Sequence, residues 1–260
     1  MGIKQTITKD KLPLKYQAYN LIETTDGISH SVYLLDDKYV LKIVEKNELS
    51  SLLNEQILLK EIEKLSVPKL LNIVQNEDTV LAFYSQIKGT SINKPTLSHI
   101  EQIALFLKSF HHISKNLKSS NDKIYDKEYL KGLVIKTNNP TLLNYFNDIQ
   151  CELKNDGIIH GDLFYDNAKF NNNILSGVFD FIEACEGDFT FELAVVAISW
   201  CFDKDSIDIR KINTLLDTYE LNISYKEFLE YIKYALLYYI TTRYLSNRDY
   251  KELLIKLESL

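Results

Sequence analysis

The residues best suited to chemistry fall in one stretch, 158–181, which reads IIHGDLFYDNAKFNNNILSGVFDF. Asn167 follows Asp162 by five positions, and Asp180 follows Asn167 by thirteen. Asn and Asp offer hard oxygen donors, the ligands that Mg²⁺ prefers in its octahedral shell. An ionised carboxylate at Asp162 would accept the proton of a hydroxyl. Metal ligands beside a residue that orients an attacking oxygen are what phosphoryl transfer requires. Each residue also has a plainer reading. An Asp–Asn pair often caps a turn, and Asn171-Asn172-Asn173 reads only as a turn. Asp180 lies between Phe179 and Phe181 at the end of an apolar run, where a carboxylate must be paired, ligated or solvated. His160 is expected to brace the loop rather than titrate, and Gly161 to relieve its backbone.

A second group should bind the phosphates of a nucleotide. In the run Tyr39-Val40-Leu41-Lys42-Ile43-Val44, strand alternation places Lys42 on one face with Val40 and Val44. A lysine on a half-buried face needs an anion. Glu55, thirteen residues on, is the candidate partner, with Glu61 on the same expected helix as a rival. The plainer reading of Lys42 is an exposed edge charge. No GxGxxG loop is present. Gly27 is the only glycine in residues 24–30, where Ser29 is a small hydroxyl donor for phosphate.

The elements that must position these groups follow from periodicity. Residues 20–24, 31–35 and 39–44 read as strands, with Asp36-Asp37 as a hairpin turn. Leucines and isoleucines recur at three and four over 47–65, which predicts a helix ended by Val67-Pro68. Residues 70–74 and 79–84 suggest a second hairpin. Beyond Gly89, helices are expected over 97–114, 127–135, 141–154, 189–202, 207–219 and 225–244. Two short strands, 168–170 and 175–181, interrupt them. The predicted organisation is a β-rich lobe over 1–86 with about five strands and one helix, then a mainly helical lobe over 87–260.

Composition narrows the function. The 260 residues carry 30 basic and 36 acidic side chains and a net charge of −6, which disfavours a dedicated nucleic-acid binder. No run reaches the ~18 apolar residues that span a bilayer, so no membrane partner is expected. Three cysteines with no CxxC spacing suggest reduced thiols and a cytoplasmic protein. The start MGIKQT matches a Met-Gly-x-x-x-Thr acylation pattern too short to carry weight. The sequence leaves the oligomeric state open.

On these motifs the chain resembles the aminoglycoside phosphotransferase and choline kinase family. HGDLFYDN resembles its catalytic loop, GVFDF its metal-binding strand, and EGDFTFELA the segment that follows, with Glu192 where Asp is usual. The resemblance implies an α+β, two-lobed protein-kinase-like fold using ATP and Mg²⁺. It implies Asp162 as catalytic base, Asn167 and Asp180 as metal ligands, and Lys42 with Glu55 on the phosphates. It also implies that the interlobe segment 84–88, including Tyr84 and Gln86, holds adenine through backbone groups. Within the family the chain is most similar to the homoserine kinase branch, through DLFYDN, Ala184-Cys185, Trp200-Cys201 and Tyr239…Arg243. It departs from that branch at Gly161, Lys42 and Tyr165.

The expected activity is therefore phosphorylation of a hydroxyl on a small metabolite, most like homoserine. Arg243 is a fork donor for a carboxylate, and Asp166 and Glu183 are possible ammonium partners. A cationic acceptor is the alternative: an aminoglycoside, choline, ethanolamine or methylthioribose. For an aminoglycoside, Glu183, Glu186 and Asp188 would line the cleft. For choline, tyrosines and Trp200 would form a cage, although Trp200 reads better as core. A catalytically silent nucleotide-binding module is a further alternative. A protein kinase is disfavoured, because no Ala-Pro-Glu segment follows Asp180.

Overall fold

The computed structural model describes residues 6–24 and 30–260, so Gly27 and the candidate Ser29 lie outside the described residues. The chain divides into two compact units, Met1–Lys88 and Gly89–Leu260.

The first unit contains α1 (Leu14–Gln17), β1 (Leu21–Glu23), β2 (Ser31–Leu35), β3 (Tyr39–Glu45), α2 (Leu49–Glu61), β4 (Leu70–Gln75) and β5 (Thr79–Ser85). Its five strands form one antiparallel sheet in the order β1-β2-β3-β5-β4. Asp36 takes a positive φ of 48° and closes the β2–β3 hairpin. One face of the sheet presents Tyr33, Leu35, Leu41, Ile43, Leu81 and Phe83, covered by Leu12 and Tyr16 from the N-terminal segment. The Tyr16 ring stacks on Phe83 at 3.8 Å. The short α1 that delivers Tyr16 is absent from the sequence expectation, because one helical turn leaves no periodic pattern. β3 is central between β2 and β5, so Lys42 is not an edge charge.

The second unit is mainly helical: α3 (Leu97–Ser114), α4 (Lys127–Lys136), α5 (Pro140–Asp148), β6 (Gly157–Ile159), β7 (Ala168–Asn171), β8 (Ile174–Val178), β9 (Cys185–Gly187), α6 (Phe189–Trp200), β10 (Phe202–Asp203), β11 (Ser206–Ile207), α7 (Ile209–Tyr219), α8 (Tyr225–Leu245) and α9 (Lys251–Glu258). Most helices start where a side chain can accept an orphan N–H. Asp126, Asn139, Asp188, Asp208 and Ser224 cap α4, α5, α6, α7 and α8.

Three differences from the sequence expectation have physical causes. The helix expected over 141–154 ends at Asp148, because Ile149 turns extended (ψ 126°) and carries the chain toward β6. There Gln150 N–H donates to Glu230 and Tyr231 to the Glu152 carbonyl. The helix expected over 189–202 stops at Trp200, where a tight β10–β11 hairpin follows with Lys204 at φ 54°. β6 and β9 are three-residue strands that pair antiparallel, too short to show alternation in sequence.

α6 is apolar on every face, as a fully enclosed helix must be, and Glu192 is its one ionisable residue. Among the described residues no helix is long and apolar enough to cross a membrane.

Candidate active site

In the first unit, register places Lys42 opposite Ala82 and Val40 opposite Tyr84. Alternation puts Lys42 and Tyr84 on the same sheet face, opposite the Tyr16 cluster. The Tyr84 hydroxyl donates to Glu55 on α2 at 2.6 Å. That bond ties Glu55, and with it α2, to the sheet face that carries Lys42. Glu55 is 2% exposed, whereas Glu61 ends α2 in solvent. Lys42 is 7% exposed; a lysine so enclosed needs negative charge nearby. Gln86 N–H is donated to the Lys38 carbonyl. Its side-chain Oε1 is buried with no hydrogen-bond partner among the described residues.

In the second unit, the loop between β6 and β7 is held at almost every residue. His160, fully buried, donates from Nε2 to the Phe179 carbonyl at 2.9 Å, and its Nδ1 accepts from Asp162 N–H at 3.3 Å. The histidine thus ties the loop to the residue just before Asp180. Gly161 adopts φ +78°, and a Cβ there would sit 2.1 Å from the Tyr125 ring. Its N–H donates to Glu192 Oε1 at 2.7 Å, and its carbonyl accepts from the Tyr239 hydroxyl. Trp200 Nε1 donates to the Leu163 carbonyl at 2.9 Å, and Tyr165 N–H donates to Ser199 at 3.0 Å. Trp200 is therefore a core residue supporting the loop from below, not part of an aromatic cage.

Asn167 closes the loop. Its Nδ2 donates to the Asp162 carbonyl at 2.7 Å and to the Asp162 carboxylate at 3.2 Å, which leaves Oδ1 as the amide's acceptor. The Asn167 carbonyl accepts from Phe179 N–H at 3.0 Å, so the two ends of the β7–β8 hairpin are bonded together. Asp180, one residue on, holds a left-handed φ of +72°. A non-glycine residue in that region costs about 1–3 kcal/mol and is concentrated at functional sites.

The electrostatics agree with this proximity. Burial, then the charges of Glu183, Asp180 and Asp166, push the Asp162 carboxyl well above the usual carboxylate range; a hydrogen bond from Tyr239 opposes them. A carboxylate buried beside other acids is a poor arrangement for stability and a good one for a cation. Two oxygen ligands, Asn167 Oδ1 and Asp180, suit Mg²⁺, which takes one or two protein ligands and completes its shell with water and phosphate oxygens. Among the described residues no cluster of three or more His, Cys, Asp or Glu side chains could hold a metal alone.

The remaining candidates separate. Asp166 and Glu183 are exposed and near enough to Asp162 to perturb it. Tyr125 donates to Glu183 at 3.4 Å. Arg243 on α8 is half-buried, with its guanidinium 5.9 Å from the centre of the Phe164 ring. Glu186 is engaged elsewhere, by Lys123 at 3.0 Å and Asn155 at 2.9 Å, which hold its carboxyl down at about 2. Asp188 is consumed as the α6 cap.

Two supporting residues escaped assignment from sequence. Glu192 is fully buried; besides Gly161 it holds His111 Nε2 at 2.6 Å, whose Nδ1 meets the Tyr219 hydroxyl at 2.7 Å. The available signal was a lone acid in an apolar helix, which must have partners. Tyr239 is one of 17 tyrosines; the Tyr239…Arg243 resemblance singles it out without giving it a role.

Known proteins resemble this chain in sequence and in shape. The homoserine kinase of Bartonella tribocorum is 27% identical over 75% of this chain and 69% of its own length. That of Rhizobium meliloti is 28% identical over 85% of this chain and 77% of its own. The GDP and kanamycin complex of an APH(2") enzyme superposes with TM-score 0.68 at 14% identity, covering 92% of this chain and 91% of that one. The ADP and streptomycin complex of APH(3'')-Id from Streptomyces rimosus gives 0.62 at 14%, covering 84% and 92%. These neighbours establish the fold as α+β and protein-kinase-like. With residues 21–220 matching the family's pattern, the chain belongs to the phosphotransferase enzyme family (APH), whose members are small-molecule kinases.

Proposed function

We propose that the chain is an ATP- and Mg²⁺-dependent kinase that phosphorylates the hydroxyl of a small amino-acid alcohol of the homoserine type. The observation that carries the catalytic part is the double hydrogen bond from Asn167 to Asp162, with Asp180 one residue beyond the Phe179–Asn167 bond. It supports reading Asp162 as the base and Asn167 and Asp180 as the oxygen ligands.

In this reading Asp162 accepts a hydrogen bond from the acceptor hydroxyl and takes its proton as the phosphoryl group transfers. Asn167 Oδ1 and Asp180 would hold Mg²⁺, which when bound neutralises phosphate charge. Lys42, oriented by Glu55, would pair with nucleotide phosphates. Tyr84 serves by holding Glu55. The orphaned Gln86 Oε1 suits an amino-group donor such as that of adenine. Ser29 would complete the phosphate contacts.

Two observations favour an amino-acid alcohol over an aminoglycoside. Of the three acids that an amino sugar would need, Glu186 and Asp188 are already committed inside the protein. Arg243 sits against Phe164, two residues from Asp162, where a planar fork can receive a carboxylate. Glu183, with Asp166 as the second choice, would receive the ammonium. The names of the similar sequences point to the same acceptor.

The test is ATP turnover with Mg²⁺ against homoserine, choline, ethanolamine, methylthioribose and aminoglycosides. Homoserine is expected to give the highest kcat/KM. A higher value for an aminoglycoside or choline would overturn the acceptor, and turnover of none would leave a silent nucleotide-binding module.

A further inference from the structure

The base proposed above is carried on a loop whose conformation is set from two helices, α6 and α8. The grip from α8 comes from one side chain, Tyr239. Its hydroxyl donates to the Gly161 carbonyl. Its ring meets Phe164 edge-to-face at 4.7 Å. One side chain therefore touches the residue before the base and the residue two beyond it.

The opposite side of the same glycine is held by Glu192, through its N–H. Gly161 is thus fixed at both its N–H and its carbonyl while in a left-handed conformation, with Tyr125 occupying the space a side chain would need. Without a hydroxyl at 239, the Gly161 carbonyl would lose its buried partner, and the backbone that carries Asp162 would lose its tie to α8. The packing of the ring would be unchanged, since phenylalanine fills the same volume.

We propose that Tyr239 is a positioning residue for the phosphoryl-transfer step: its hydroxyl holds the Gly161–Asp162 segment so that the Asp162 carboxylate is aimed at the acceptor oxygen. This inference rests on Asp162 being the base. Tyr239 itself is not assigned contact with either substrate. Its effect should therefore fall on kcat and spare binding, because misplacing a reacting group by an ångström costs on the order of 10²-fold.

The experiment compares Tyr239→Phe with Tyr231→Phe, an equivalent loss on the same helix of a hydroxyl bonded to a distant carbonyl, Glu152. With ATP, Mg²⁺ and homoserine, Tyr239→Phe should lower kcat by about 10- to 100-fold. Both KM values should stay within about 2-fold, and the melting temperature should match that of Tyr231→Phe. Deuterium exchange at the amides of 160–164 should quicken in Tyr239→Phe alone. Unchanged exchange there, an unchanged kcat, or a rise in acceptor KM with kcat intact would each overturn the proposal. If the wild type transfers phosphate to no acceptor, the kinase reading has failed. The exchange comparison still decides whether Tyr239 holds the loop.

Discussion

Replacing Asp162 with Asn should abolish turnover and at the same time stabilise the protein. Three carboxylates, Glu183, Asp180 and Asp166, oppose the Asp162 charge, and burial adds to them. At an effective dielectric of about 20, a pair of like charges repels by ~4 kcal/mol at 4 Å and about half that at 8 Å. A hydrogen bond from Asn167 returns about 1.5–3 kcal/mol, and an amide oxygen in the same position keeps part of that. The balance predicts a gain of about 1–2 kcal/mol at neutral pH. For a chain of 260 residues this raises the melting temperature by roughly 2–8 °C. The sign with pH follows from linkage. A carboxyl whose folded pKa lies above its unfolded value binds more protons when folded, so stability falls as pH rises between the two. The stabilisation of Asp162→Asn should therefore vanish below about pH 4, the unfolded range for Asp, and open as pH increases. Calorimetric melting of both proteins from pH 4 to 8, without nucleotide, is the assay. A variant less stable than wild type at pH 7.5, or an offset independent of pH, would refute the clustering of charge around Asp162.

Asp180→Ala should weaken ATP binding by about 10-fold or more only when Mg²⁺ is present, and titration calorimetry with and without the metal reads this directly. Gly161→Ala must fit a methyl against Tyr125 in a left-handed conformation; a loss of about 2–4 kcal/mol in urea unfolding is expected, and a loss under about 0.5 would contradict that geometry. Glu192→Ala leaves His111 and the Gly161 N–H without their partner and should cost about 3–5 kcal/mol, with Glu192→Gln clearly milder in the same denaturation assay. Arg243→Ala should raise the homoserine KM by about 10- to 100-fold through loss of a fork pairing, while ATP affinity measured by calorimetry stays unchanged.

The candidate catalytic stretch stands out in the sequence because its spacing is local. Asp162, Asn167 and Asp180 belong to one loop and hairpin, and a hairpin brings its two ends together whatever surrounds it. The helix of 97–114 and the sheet strands were legible because burial on one face imposes a period. The family pattern in HGDLFYDN and GVFDF is local for the same reason. What the sequence left open depends on contacts between distant segments. Glu55 is the sequence's candidate with Glu61 as a rival on the same helix, and it is Glu55 that Tyr84, 29 positions away, bonds. Glu183, Glu186 and Asp188 read alike until Lys123 and Asn155 claim Glu186 and the α6 amides claim Asp188. Tyr239 lies 78 residues from the glycine it holds. Hydrogen bonds across such separations are fixed by helix packing, which the one-dimensional pattern of apolar residues permits in many forms and the folded chain realises in one.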